Sequence, residues 1–149
     1  MATATLMRPV ASVVVLLNRL SLGALFAYAG CFKIFKLGVE TFVSGPYKQV
    51  TPSWLPAWFA VPYGYALPFV ELTTGLLLIL GLLSRLSATL MVLLLLSIMI
   101  ATGVYDPQKP PFNPTVIFCT LALLLALIGP GRYSLDGLIA ARKTSRKKP

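Results

Sequence analysis

The 149-residue sequence contains no histidine, only two cysteines, and 4 acidic residues against 13 lysines and arginines. Without histidine the chain lacks the usual haem and copper ligand and the side chain best suited to moving protons near neutral pH. Cys31 and Cys119 lie in separate apolar runs and no CxxC pair exists. Buried, inert thiols are therefore expected, and a disulfide would require their two helices to meet. Charge is scarce as well: 11% of the residues are charged and 57% are hydrophobic. A soluble domain devotes about a quarter of its residues to charge. The composition, with a mean hydropathy of +0.83, is that of an integral membrane protein of one domain, residues 1–149.

Crossing the hydrocarbon takes about 20 apolar residues. Four runs present themselves, at 11–35, 65–83, 86–104 and, shorter, 114–128. Each is predicted to be helical, because backbone groups in lipid must bond within the segment and barrel strands would alternate polar with apolar residues. The expected fold is all-α, a four-helix membrane bundle. Asn113-Pro114 is a good helix start, since Asn caps and Pro at the first helical position loses no needed donor. Gly129-Pro130-Gly131 ends the fourth run. Ser84-Arg85 leaves room only for a tight turn, so the second and third helices are antiparallel neighbours.

The scarce charge is unevenly placed. Arg142, Lys143, Arg146, Lys147 and Lys148 crowd the last eight residues. Beside apolar spans, such a cluster reads as a cytoplasmic topology determinant that touches anionic lipid, and not as a nucleic-acid surface. An even number of spans then puts both termini in the cytoplasm, with Arg8, Arg85 and Arg132 on the same side, and assigns the chain to the inner membrane as a multi-pass protein. The first span has no cleavage site after a short apolar core and reads as retained. Residues 36–64 hold Trp54, Trp58, Phe59 and Tyr63, followed by Tyr65, a density expected of an outer interfacial loop broken by Pro52, Pro56 and Pro62. A lid over a lipid or quinone headgroup is the functional alternative.

Ionisable groups inside a membrane are costly and are functional candidates by default. Arg19 falls in the first span and Glu71 in the second. Arg19, Gly23, Phe26, Gly30 and Lys33 follow helical steps of four, three, four and three, so they share one face. Gly23, Ala27 and Gly30 let another helix approach that face closely. Glu71 shares its own face with Thr74, Gly75 and Leu78, and the two faces are natural packing partners. Counting depth at about 1.5 Å per residue places Glu71 between Arg19 and Lys33. Arg19 is the expected partner, because a mid-membrane arginine needs an anion more urgently than an interfacial lysine does. An ion pair specifying helix packing and a site for a quinone carbonyl, an anion or a proton are both open readings of that pair.

Arg19 with the following glycine and "AGCFK", "GLLLILGLLSR" after Glu71, and "GPGRYSLD" near the end together resemble the DoxX family of small four-helix membrane proteins. The resemblance implies an accessory, non-catalytic subunit that packs against larger partners of a membrane oxidoreductase or electron-transfer complex, with a quinone or lipid contact left open. No covalent or metal-ligated cofactor is expected, since ligands are missing, and no catalysis by the chain alone. A small oligomeric transporter using Arg19 and Glu71 is the alternative, and a homo-oligomer is compatible with either. The "GPGRYSLDG" stretch lacks the lysine and following Ser or Thr of a phosphate loop. It reads as a membrane exit: Arg132 meets phosphates, Tyr133 lies among headgroups, and Ser134 caps a short amphipathic basic helix over 134–149 with Asp136 in its first turn. An Arg132–Asp136 pair could tie this junction to the turn at Arg85. Asn113 is a further polar candidate.

Overall fold

The computed structural model of the chain describes residues 2–102, 114–129, 131, 133–137 and 139, with 2–9 and 102 described by backbone alone. Among them every regular element is helical. The first helix, α1, runs Ala2–Cys31 and widens into a π-type turn at Phe32–Leu37. Gly38, at a φ of 82°, ends it in a conformation that suits glycine. The chain then folds back through α2 (Val39–Phe42), a second wide turn at Val43–Tyr47 and α3 (Lys48–Val50). The long helices α4 (Ala57–Leu80), α5 (Ser84–Thr102) and α6 (Pro114–Ile128) complete it.

The connection expected as an aromatic loop is largely helical. Trp58, Phe59, Tyr63 and Tyr65 ride on the first turns of α4, which begins at Ala57 despite Pro62 and Pro68. Proline holds a helical φ and removes only one backbone donor, so α4 runs through both positions. Here the Tyr47 hydroxyl donates to the Ala60 carbonyl at 2.8 Å, fastening the connection onto this turn.

At its other end α4 stops at a C-terminal glycine cap. Gly81 sits at a φ of 70°, its N–H donates to the Leu78 carbonyl at 3.1 Å, and the Leu82 N–H donates to the Leu77 carbonyl at 3.0 Å. These two bonds make a Schellman motif and satisfy carbonyls that a helix end otherwise leaves orphaned. Leu83 follows at a φ of 48°, and α5 starts at once.

Helix α1 packs on α4, α4 on α5, α5 on α6, and α6 returns to α1. The Gly129 backbone lies against the Arg85 guanidinium, so α6 ends where α5 begins and the bundle runs up, down, up, down. Its centre is apolar: Leu78, Ala88, Met91 and Ala122 are fully shielded, with Leu22, Phe26 and Leu125 around them. Large apolar side chains also face outward on every long helix, as a lipid-facing surface requires. The segments Val10–Leu37, Ala57–Leu80 and Ser84–Ala101 are long and apolar enough to span a membrane. With 15 residues α6 reaches only about 22 Å at 1.5 Å per residue.

Candidate functional site: two polar ends of an apolar bundle

A close contact between α1 and α4 positions the buried charges. A side chain built on Gly30 would stand 2.6 Å from the Leu72 nitrogen and 2.7 Å from the Pro68 carbonyl. One built on Gly23 would meet the Gly75 carbonyl at 2.9 Å. The backbones of α1 and α4 therefore touch, which only small residues permit. Thr74 lies in this face with its hydroxyl donating to the Val70 carbonyl at 2.6 Å, so it consumes its own polarity.

This antiparallel register decides which charges meet. The Lys33 ammonium lies 2.6 Å from each carboxylate oxygen of Glu71, and Glu71 is 3% exposed. Arg19 is not its partner. It is equally buried, but its guanidinium packs against Gly81 and donates to the Tyr133 carbonyl at 2.7 Å. Lys33 lies fourteen residues beyond Arg19, about 21 Å of helix rise. Arg8 is not the edge of the packed bundle, so depth counted from it does not locate Arg19. The helix continues from Ala2, and the packed part of the bundle begins near Val15, whose side chain meets Gly131.

Arg19 thus belongs to a polar lock at one end of the bundle, and the segment after α6 supplies the rest. Ser134 accepts the Gly137 N–H at 3.0 Å and begins a helical turn. The Asp136 carboxylate crosses to the α4–α5 turn, accepting the Leu83 N–H at 3.0 Å and the Ser84 N–H at 2.8 Å. It caps α5 from far downstream in sequence. Burial alone would raise the Asp136 carboxyl, but the Ser84 and Leu83 bonds, aided by the Arg19 charge, hold it below its ordinary value. Tyr133 is exposed. Arg85 lies along the Gly129 backbone. Asn113, Arg132 and the basic residues from 142 onward lie outside the described residues, and so does the proposed Arg132–Asp136 contact.

At the opposite end Lys33, paired with Glu71, lines a cavity of about 490 Å³. Its wall is almost entirely apolar, with Phe42, Tyr47, Trp54, Phe59 and Tyr63 prominent. Phe59 and Tyr63 stack with ring planes 14° apart, and the Lys33 ammonium stands 5.0 Å from the centre of the Phe42 ring. Gly64 makes room for the Tyr47 ring, since a side chain there would meet it at 2.6 Å. Burial raises the Tyr47 phenol above its ordinary value. Ser97 spends its proton on the Leu94 carbonyl and pairs with the Tyr63 hydroxyl. Sequence reasoning passed over Tyr47, Tyr63 and Ser97 as site residues. The lone hydroxyl of Ser97 in an otherwise apolar stretch was the available signal. Among the described residues no group of three His, Cys, Asp or Glu side chains could hold a metal ion.

With this geometry in hand, comparison with family models is decisive: that of methylamine utilisation protein MauE matches residues 11–105. The chain belongs to the MauE family. The match takes in Lys33, Glu71, the aromatic cavity and the three longest helices, and these together make the chain a multi-pass membrane protein. It replaces the DoxX resemblance. The glycines and leucine runs behind that resemblance are what any closely packed helical membrane bundle demands, and its "GPGRYSLD" element falls beyond the matched region. Comparison with curated proteins and with solved structures gives no match.

Proposed function

We propose that the chain is an accessory, non-catalytic membrane subunit of an electron-transfer system, holding partner helices in the bilayer. The MauE family takes its name from methylamine utilisation, and the partners we infer are redox proteins of an amine-oxidising system in the same membrane. We place both termini in the cytoplasm and the chain in the inner membrane on the strength of its basic tail.

The observation that carries the reading is how the buried charges are used. Lys33 and Glu71 neutralise each other at one end, and Arg19 is engaged with Tyr133 at the other. Between them lie Leu22, Phe26, Leu78 and Met91. A transport path using Arg19 and Glu71 would need polar groups through that interval, where the bundle has an apolar core. Charges spent on internal closure fit a scaffold whose outer surface is left to lipid and partner helices. The test is methylamine-dependent oxygen uptake by a deletion strain. It should fall while succinate-dependent uptake persists, and return on complementation. Unchanged methylamine respiration in the deletion strain would overturn the assignment.

A further inference from the structure

A second cavity, of about 250 Å³, adjoins the aromatic one. It shares Tyr63, Leu67 and Ser97 with it and continues between α4 and α5 past Val70, Leu94 and Leu93 to Leu90. Ser97 and Leu90 are seven residues apart on α5, so this extension descends about 10 Å along the bundle. A wide, aromatic-walled chamber and a narrow aliphatic groove thus lie end to end, with Tyr63, Leu67 and Ser97 between them.

Trp54, which lines the chamber, and Trp58 are 67% and 78% exposed, and Lys36 and Lys48 belong to the same stretch of chain between α1 and α4. Exposed tryptophans beside lysines mark the boundary between membrane and water. An occupant entering there comes from the bilayer, head in the chamber and tail in the groove.

The geometry points to an isoprenoid quinone as that occupant. Among the described residues a phosphate headgroup does not suit the chamber, because the one lining cation among them, Lys33, is already neutralised by Glu71 and the rest of that lining is almost entirely apolar. A flat, neutral ring does suit it. The Phe59–Tyr63 stack offers a planar wall. Lys33 has three ammonium protons and two carboxylate contacts, which leaves one N–H for a ring carbonyl. Glu71 holds that donor in place, and the groove receives the branched tail. Choosing a redox-active head rests on the electron-transfer reading, whereas the cavity and its binding do not.

Trp54 lines the chamber and Trp58 does not, and the chain has two tryptophans in all. The Trp58→Phe protein in phosphatidylcholine nanodiscs therefore carries one fluorophore, placed at the site. Titration with ubiquinone analogues of increasing tail length should quench it saturably at one quinone per chain, with affinity rising as the tail lengthens. Phe59→Leu should weaken binding about two- to tenfold through the lost ring contact. Lys33→Met should weaken it about tenfold or more. Leu93→Phe, which narrows the groove at an exposed position, should abolish the gain from tail length while leaving the tailless ring bound, and it keeps the test decisive if Lys33→Met fails to fold.

Quenching that rises linearly with quinone and is the same in Leu93→Phe would mean partition into the bilayer and would overturn the proposal. So would quenching by brominated-chain phosphatidylcholine that quinone does not relieve, which assigns the chamber to a lipid. Either result leaves methylamine respiration in the deletion strain as a separate test of the accessory role.

Discussion

The Lys33 ammonium and the Glu71 carboxylate meet at 2.6 Å across the close contact of α1 with α4, within a helical turn of where Gly30 touches Leu72. A buried charge left without its partner is costly. Each helix brings its charge to the other because their glycines fix the register.

Removing one partner should therefore cost more than removing both. Glu71→Gln leaves a lysine with no counter-ion beside an apolar chamber, and breaking a buried pair this way costs about 3 kcal/mol. The variant should melt at a clearly lower temperature by fluorescence-detected size exclusion and accumulate poorly. Combining Lys33→Met with Glu71→Leu should recover much of the loss. A double variant as unstable as the sum of the single changes would argue that the two side chains are not coupled.

The same contact predicts a steep dependence on size at Gly30. An alanine methyl would have to displace the Leu72 backbone, and overpacking of this kind costs about 1–3 kcal/mol. Gly30→Ala should lower the melting temperature and Gly30→Leu should prevent accumulation. Gly45, whose added side chain would meet nothing within 4 Å, is the matched control. Gly45→Ala should be close to neutral.

How much of this was legible follows from which interactions are local. Helical spacing alone put Gly23, Gly30 and Lys33 on one face and Glu71, Thr74 and Gly75 on another, because a helix repeats on a short, fixed period. Spacing does not give the longitudinal register between two helices. That offset is set by where Gly23 and Gly30 find Gly75 and Leu72, and it moved Arg19 from the expected mid-membrane position to the bundle end. The reach of Asp136 to Ser84 was equally hidden, since no local pattern encodes a cap supplied from another part of the chain. Pro62 misled for the opposite reason: a strong local breaker that holds a helical φ was tolerated in the largely exposed first turns of α4.

At the bundle end, Asp136→Ala should loosen the start of α5. The lost cap costs about 1 kcal/mol, and hydrogen exchange at the Leu83 and Ser84 amides should rise while exchange in the middle of α5 does not. Equal protection in the variant would mean that the carboxylate contributes nothing to this turn.

Acid should act on the same contact. The folded Asp136 carboxyl titrates below its ordinary value of 3.8, so its contribution to stability is complete above 3.8 and disappears as the pH falls through the lower folded value. In detergent, the melting temperature should hold from neutral pH down to that region and then drop, and Asp136→Asn should flatten this acid limb. An acid limb identical in the variant would assign the loss to other carboxylates.

The central claim, an accessory subunit working among redox partners, is tested most directly by purifying the tagged chain from its own membranes in a mild detergent and identifying what accompanies it. The account predicts a stoichiometric assembly with redox proteins of amine oxidation, diminished by Glu71→Gln. A chain that emerges alone at full yield, and moves a solute when reconstituted by itself, would contradict it.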